Sequence, residues 1–128
     1  MDAQSRLAVE APEVIQRDAM NLTQYLWKNR IILVFTPAAS DARFQAQTEL
    51  FEARKTDLDE RNILVFAVVG ADEPKMRSHF RVSKDDFAVI LIGKDGNEKH
   101  RWAGVAPIEQ IDHRVDRMPM RRSEMQRK

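Results

Sequence analysis

The chain has 128 residues, enough for one domain, with 43% hydrophobic residues to supply a core and 32% charged residues to keep its surface wet. Basic and acidic residues number 21 and 20, a net of +1, which gives no general electrostatic case for a nucleic-acid protein. Cysteine is absent, so these residues can make no disulfide, thiolate nucleophile or thiolate metal site.

The longest apolar runs fall far short of the ~20 residues that span a bilayer. Met1 to Arg6 shows no basic region leading into a long apolar stretch, so no export signal is expected and a cytoplasmic location is the default unless a leader was removed. Residues 1–11 are polar and expected to be flexible. From Pro12 onward, Val14, Ile15, Ala19, Leu22 and Leu26 recur at helical steps and predict an amphipathic helix that ends at Lys28-Asn29-Arg30. Ile31 to Phe35 is apolar on both faces and β-branched, the pattern of a central strand covered on both sides. Asp41 to about Leu58 reads as one helix, with Phe44, Leu50, Phe51 and Leu58 facing inward.

After the turn at Glu60-Arg61-Asn62, Ile63 to Val69 is a second buried strand, closed by Gly70. Glu73 to Phe80 is a short helix and Asp86 to Ile92 a third strand. Lys94-Asp95-Gly96-Asn97 is a hairpin signal, and Lys99 to Trp102 is the returning strand. Pro107 to about Met118 is the last helix, presenting Ile108, Ile111 and Val115 on one face, and Pro119 ends it. Two strands joined through a helix imply a parallel crossover, and the hairpin adds an antiparallel pair. The expected fold is therefore α/β, a mixed sheet of about four strands with helices on both faces. The expected domain covers residues 12–120, with a basic tail over 121–128.

This order resembles the thioredoxin-like fold, a three-layer sandwich. Phe80-Arg81-Val82 resembles that family's element ahead of the third strand, and Val89 to Gly96 resembles its strand ending in Lys-Asp-Gly. Trp102-Ala103-Gly104 resembles the glycine after its last strand. Trp27-Lys28-Asn29-Arg30, the Gly93-to-Gly96 segment and Met118-Pro119-Met120-Arg121-Arg122 resemble more closely a bacterial, peroxiredoxin-like family of unknown function. That family is related to domains of animal extracellular sushi-repeat and coiled-coil proteins, and the resemblance covers about residues 21–125. It implies Cys-x-x-Cys at the corner after the first central strand, where this chain has Ser40-Asp41-Ala42-Arg43. It also implies a cis-proline near the third strand, where this chain has Phe87 or Ala88, and a trans bond is expected there. No thiol–disulfide or peroxidase chemistry is expected, and no cofactor.

Two regions are candidates for binding. Ser40, Asp41 and Arg43 lie where a helix begins and its free N–H groups favour anions, with Thr36 close by and Phe87 and Ala88 in the neighbouring loop. The competing reading is that Ser40 or Asp41 simply caps the helix. In the tail, Met118, Met120, Arg121 and Arg122 could dock a partner, the methionines in an apolar groove and the arginines on an acidic surface, or the methionines could pack back onto the domain. His79, His100 and His113 are scattered without metal-ligand spacing, and no metal site is expected. The sequence thus favours a non-redox module that binds a protein or peptide, with no nucleic-acid or membrane partner. The alternatives are a cysteine-independent enzyme or small-anion protein using Ser40 and Arg43, and a homodimer built on Trp27, Trp102 or the tail.

Overall fold

A computed structural model describes residues 15–16 and 22–126. Five strands form one sheet: β1 (Ile15–Gln16), β2 (Arg30–Thr36), β3 (Ile63–Val69), β4 (Ala88–Ile92) and β5 (Glu98–Trp102), in the spatial order β1-β3-β2-β4-β5. β3 runs parallel to both β1 and β2, while β2–β4 and β4–β5 are antiparallel. The helices are α1 (Ala42–Ala53), α2 (Lys55–Glu60), α3 (Pro74–Phe80), α4 (Ile108–Asp116) and α5 (Pro119–Gln126), with a 3-10 turn at Thr23–Tyr25.

The side-chain period of two along β2 divides the core. Ile32 and Val34 point to one face with Val65, Val89 and Leu91, and meet Phe51, Leu58, Ile111 and Val115 of α1, α2 and α4. Ile31, Leu33 and Phe35 point to the other with Phe66, Val68 and Ile90, and meet Val82, Phe80 of α3 and Tyr25 of the 3-10 turn. Every residue of β2 is buried, as its doubly apolar run predicts. β5, by contrast, is an outer strand. Its Glu98, Lys99 and Arg101 are exposed charges of the kind that keep an open edge from pairing with other chains. The hairpin before it turns at Gly96, whose φ of +86° suits glycine.

Three expectations need correction. The helix read from Pro12 to Arg30 is not formed by its described residues. Ile15 and Gln16 instead pair with Val65 and Phe66, covering backbone groups of β3 that its pairing with β2 leaves at the edge, and Thr23–Tyr25 is a single 3-10 turn. The rest of that predicted helix before Leu22, and the segment 1–11, lie outside the described residues. The helix read from Asp41 to Leu58 breaks at Arg54, whose φ of −123° and ψ of 32° leave the helical region. The break leaves Phe51 and Leu58 buried while Leu50 stays exposed. Finally, the basic tail expected over 121–128 is helical as far as Gln126: Pro119, expected to end a helix, opens α5, where a missing N–H costs nothing.

Candidate functional site

Helices and loops meet the sheet at two ends, named here for the terminal residues of β2. The Thr36 end holds the corner that the thioredoxin resemblance points to. Asp41 caps α1, its carboxylate accepting the Arg43 N–H at 2.9 Å. The same carboxylate takes both ends of the Arg43 guanidinium, Nε at 3.0 Å and Nη2 at 2.8 Å. The hydrogen bonds from Arg43 hold the Asp41 carboxyl down at about 2, so it is ionised at any physiological pH. The helix N-terminus and its nearest cation therefore already share an anion. Arg43 also lies over the Phe87 ring, 5.1 Å from its centroid.

The other candidates at this end are enclosed. Thr36 is buried, and its hydroxyl donates to the Ala38 carbonyl at 2.9 Å. Phe87 and Ala88 are buried, and the described residues contain no cis peptide bond. Of the candidate residues at this end, Ser40 and Arg43 are the exposed ones. Sequence reasoning missed Arg77, a buried guanidinium on α3. It donates to the Thr36 and Val68 carbonyls at 3.1 and 3.2 Å and to the Ser83 carbonyl at 2.6 Å, and stacks on Phe35. It closes the ends of β2 and β3 from beneath the corner. Burial pushes its pKa below the usual arginine value.

The Arg30 end is built differently. Arg30, at 1% exposure, donates through Nη1 and Nη2 to both Glu124 oxygens at 3.3 Å, and through Nη1 to the Arg61 carbonyl at 2.7 Å. Lys94 reaches the same Glu124 carboxylate at 2.6 Å. Arg121, also at 1% exposure, donates to Asp116, to the Glu60 carboxylate at 3.1 Å and to the Glu60 carbonyl at 3.2 Å. Arg61 forms a two-bond fork with Asp116, both at 3.0 Å. Burial raises the carboxyls of Glu124 and Asp116, but hydrogen bonds from these cations outweigh it and leave both below their ordinary values. The network fastens α5 to the domain. Arg121, expected in a partner-facing tail, is therefore a structural residue, whereas Arg122 is exposed.

Above this network opens a groove of about 990 Å³ between the 26–29 turn, the hairpin and the α4–α5 corner. Trp27, Met118, Pro119 and Met120 give it apolar surface. Met118 packs partly against the core, as the packing reading expects, while Met120 is exposed. Trp27 is 63% exposed and sits at a φ of +67°, a conformation that bulky residues rarely adopt. The chain holds it there through the Trp27 N–H, which donates to the Lys94 carbonyl at 2.7 Å. Trp102 is tied down instead, its indole N–H donating to Gln110 at 2.8 Å.

Comparison with known proteins agrees with the fold. The chain is similar to a thioredoxin from Fasciola hepatica, with a TM-score of 0.58 and 14% identity over 76% of this chain and 88% of that one. It is also similar to the yeast mitochondrial 1-Cys peroxiredoxin, with a TM-score of 0.53 and 18% identity over 80% of this chain and 94% of that one. In sequence it is 24% identical to the sushi repeat-containing protein SRPX of Rattus norvegicus over 87% of this chain and 27% of that protein. It is 23% identical to coiled-coil domain-containing protein 80 of Danio rerio over 81% of this chain and 15% of that protein. The chain thus spans about a quarter, or less, of the length of these curated relatives. The fold is thioredoxin-like, and with the model of the domain of unknown function DUF4174 matching residues 21–124, the chain belongs to that family.

Proposed function

We propose that this chain is a non-redox binding module that takes a protein or peptide into the groove at the Arg30 end of its sheet. The observation that carries the reading is the exposed Trp27, held in a strained backbone conformation beside the apolar part of a groove. Large aromatic side chains exposed beside such grooves are the usual anchors of protein recognition. Two further facts support it. The chain has no cysteine for thiol chemistry. At the Thr36 end, the cation proposed as an anion ligand is already neutralised by Asp41. That pairing weighs against the alternative of a small-anion protein or an enzyme built on Ser40 and Arg43.

A displayed library of random peptides, selected on the full chain, tests the reading. Enriched peptides should lose binding to Trp27→Ala and keep it with Arg43→Ala. The reverse pattern would move the site to the Thr36 end. Insulin or peroxide reduction by the pure chain would overturn the non-redox part of the proposal.

A further inference from the structure

We infer that the partner segment is acidic, a peptide with an apolar anchor flanked by Asp and Glu; this rests on the groove reading above. Five basic side chains line the groove, Arg30, Lys94, Lys99, Arg114 and Arg117, against two acids, Asp95 and Glu109. Both acids already have cationic partners: Asp95 pairs with Lys99 at 2.8 Å and Glu109 with Arg54 at 3.2 Å. Arg30 and Lys94 share the single carboxylate of Glu124.

Arg114 and Arg117 are left over. Both are exposed on α4 and at its C-terminal cap, and neither makes an ion pair among the described residues. Arg117 Nη1 lies 3.2 Å from His113 Nε2, a contact with no anion in it, so the guanidinium charge is not compensated there. The surplus positive charge thus stands on one wall of the groove, with Trp27, Met118 and Met120 supplying the apolar surface beside it. An acidic peptide would satisfy both halves of this surface, its carboxylates on the guanidinium forks and its apolar anchor against Trp27 and the methionines.

A second copy of the chain fits less well, because a two-fold pairing through this groove would set the basic wall against itself. Nucleic acid fits less well too. The whole chain has a net charge of only +1.

The test uses three pools of short synthetic peptides with the same central Leu-Trp pair. Their flanks are acidic, neutral or basic, and each pool is offered to the immobilised full chain at low salt. The acidic pool should be retained about tenfold better than the neutral one, with the advantage lost at high salt and in Arg114→Glu/Arg117→Glu. Those two side chains are exposed at the C-terminal end of α4, so a cooperative melt lowered by no more than a few degrees should accompany the loss. Trp27→Ala should lose every pool. Equal retention of neutral or basic pools, still dependent on Trp27, would overturn the acidic assignment and leave the groove reading standing. Retention of no pool above the Trp27→Ala background would overturn both. Tighter retention of an oligothymidine than of the acidic pool would reassign the groove to nucleic acid. A dimer abolished by Arg114→Glu/Arg117→Glu would reassign it to a second copy.

Discussion

The two ends of the sheet handle charge in opposite ways. At the Thr36 end the pairing is local and exposed: Asp41 and Arg43, two residues apart, close on each other at the surface. At the Arg30 end it is long-range and buried. Arg30 and Glu124 are 94 positions apart, Arg121 and Glu60 are 61 apart, and both arginines are almost wholly enclosed. Exposed pairs contribute little to stability, whereas removing one partner of a buried network leaves an uncompensated charge. The corner where the thioredoxin-like resemblance implies Cys-x-x-Cys is in this chain a capped helix start. The Arg30 end has become a rigid base under an open groove.

The largest expected effect comes from breaking the buried side of this comparison. Arg121→Ala should cost about 1–3 kcal/mol in urea denaturation, because it removes the buried donor to the Glu60 carbonyl and one of the two guanidinium partners of Asp116. A cost below about 1 kcal/mol would mean that α5 is not held by the network.

The next effect is a pH dependence. The lowered carboxyls of Glu124 and Asp116 contribute stability that is present above the ordinary carboxylate range and lost as the pH falls through their folded values. Asp112 behaves oppositely. Burial pushes its carboxyl up to about 6, and Arg61, at 3.6 Å, is too far to offset it with a hydrogen bond. Ionising Asp112 therefore costs stability as the pH rises from 3.8 to about 6. Asp112→Asn should raise the melting temperature above about pH 6 and leave it unchanged below 3.8. A gain of the same size at both pH values would show that the effect is not ionisation.

Smaller still is the effect of Trp27→Gly on stability. Glycine relieves the positive φ but adds freedom to the unfolded chain, so the net change should stay within about 1 kcal/mol while peptide binding is lost. A large destabilisation would make Trp27 a structural residue. Smallest of all, Arg43→Ala should leave the melting temperature nearly unchanged and peptide binding unmoved, because Arg43 is half-exposed and a surface ion pair contributes little.

The four longer strands, the hairpin and the two faces of the core were legible because each rests on a local pattern: β-branched runs, Asp95-Gly96, and the spacing of Ile108, Ile111 and Val115. The cap at Asp41 was legible for the same reason. What escaped depends on distant residues. Ile15–Gln16 becomes a strand only because β3 offers it an edge. Gln47, a polar residue within α1, is fully buried and holds both backbone groups of Ala106, at 3.1 and 2.6 Å. Arg30 reads as the charged end of a helix and Arg121 as part of a docking tail, and nothing near them in sequence names Glu124 or Glu60 as the partner. The groove escaped as well, since it is made of three segments that meet only in the folded chain. Trp27 and the Met-rich segment were singled out separately, with no signal that they share a surface.

The most direct test of the central claim is an amide chemical-shift map of the full chain titrated with a peptide selected from the random library. The expected result is a set of shifts confined to the Arg30 end, at Trp27, Lys94, Asp95 and residues 113–120. Shifts centred on Thr36 to Arg43 and Ala88 would contradict the account, moving the binding site to the opposite end of the sheet.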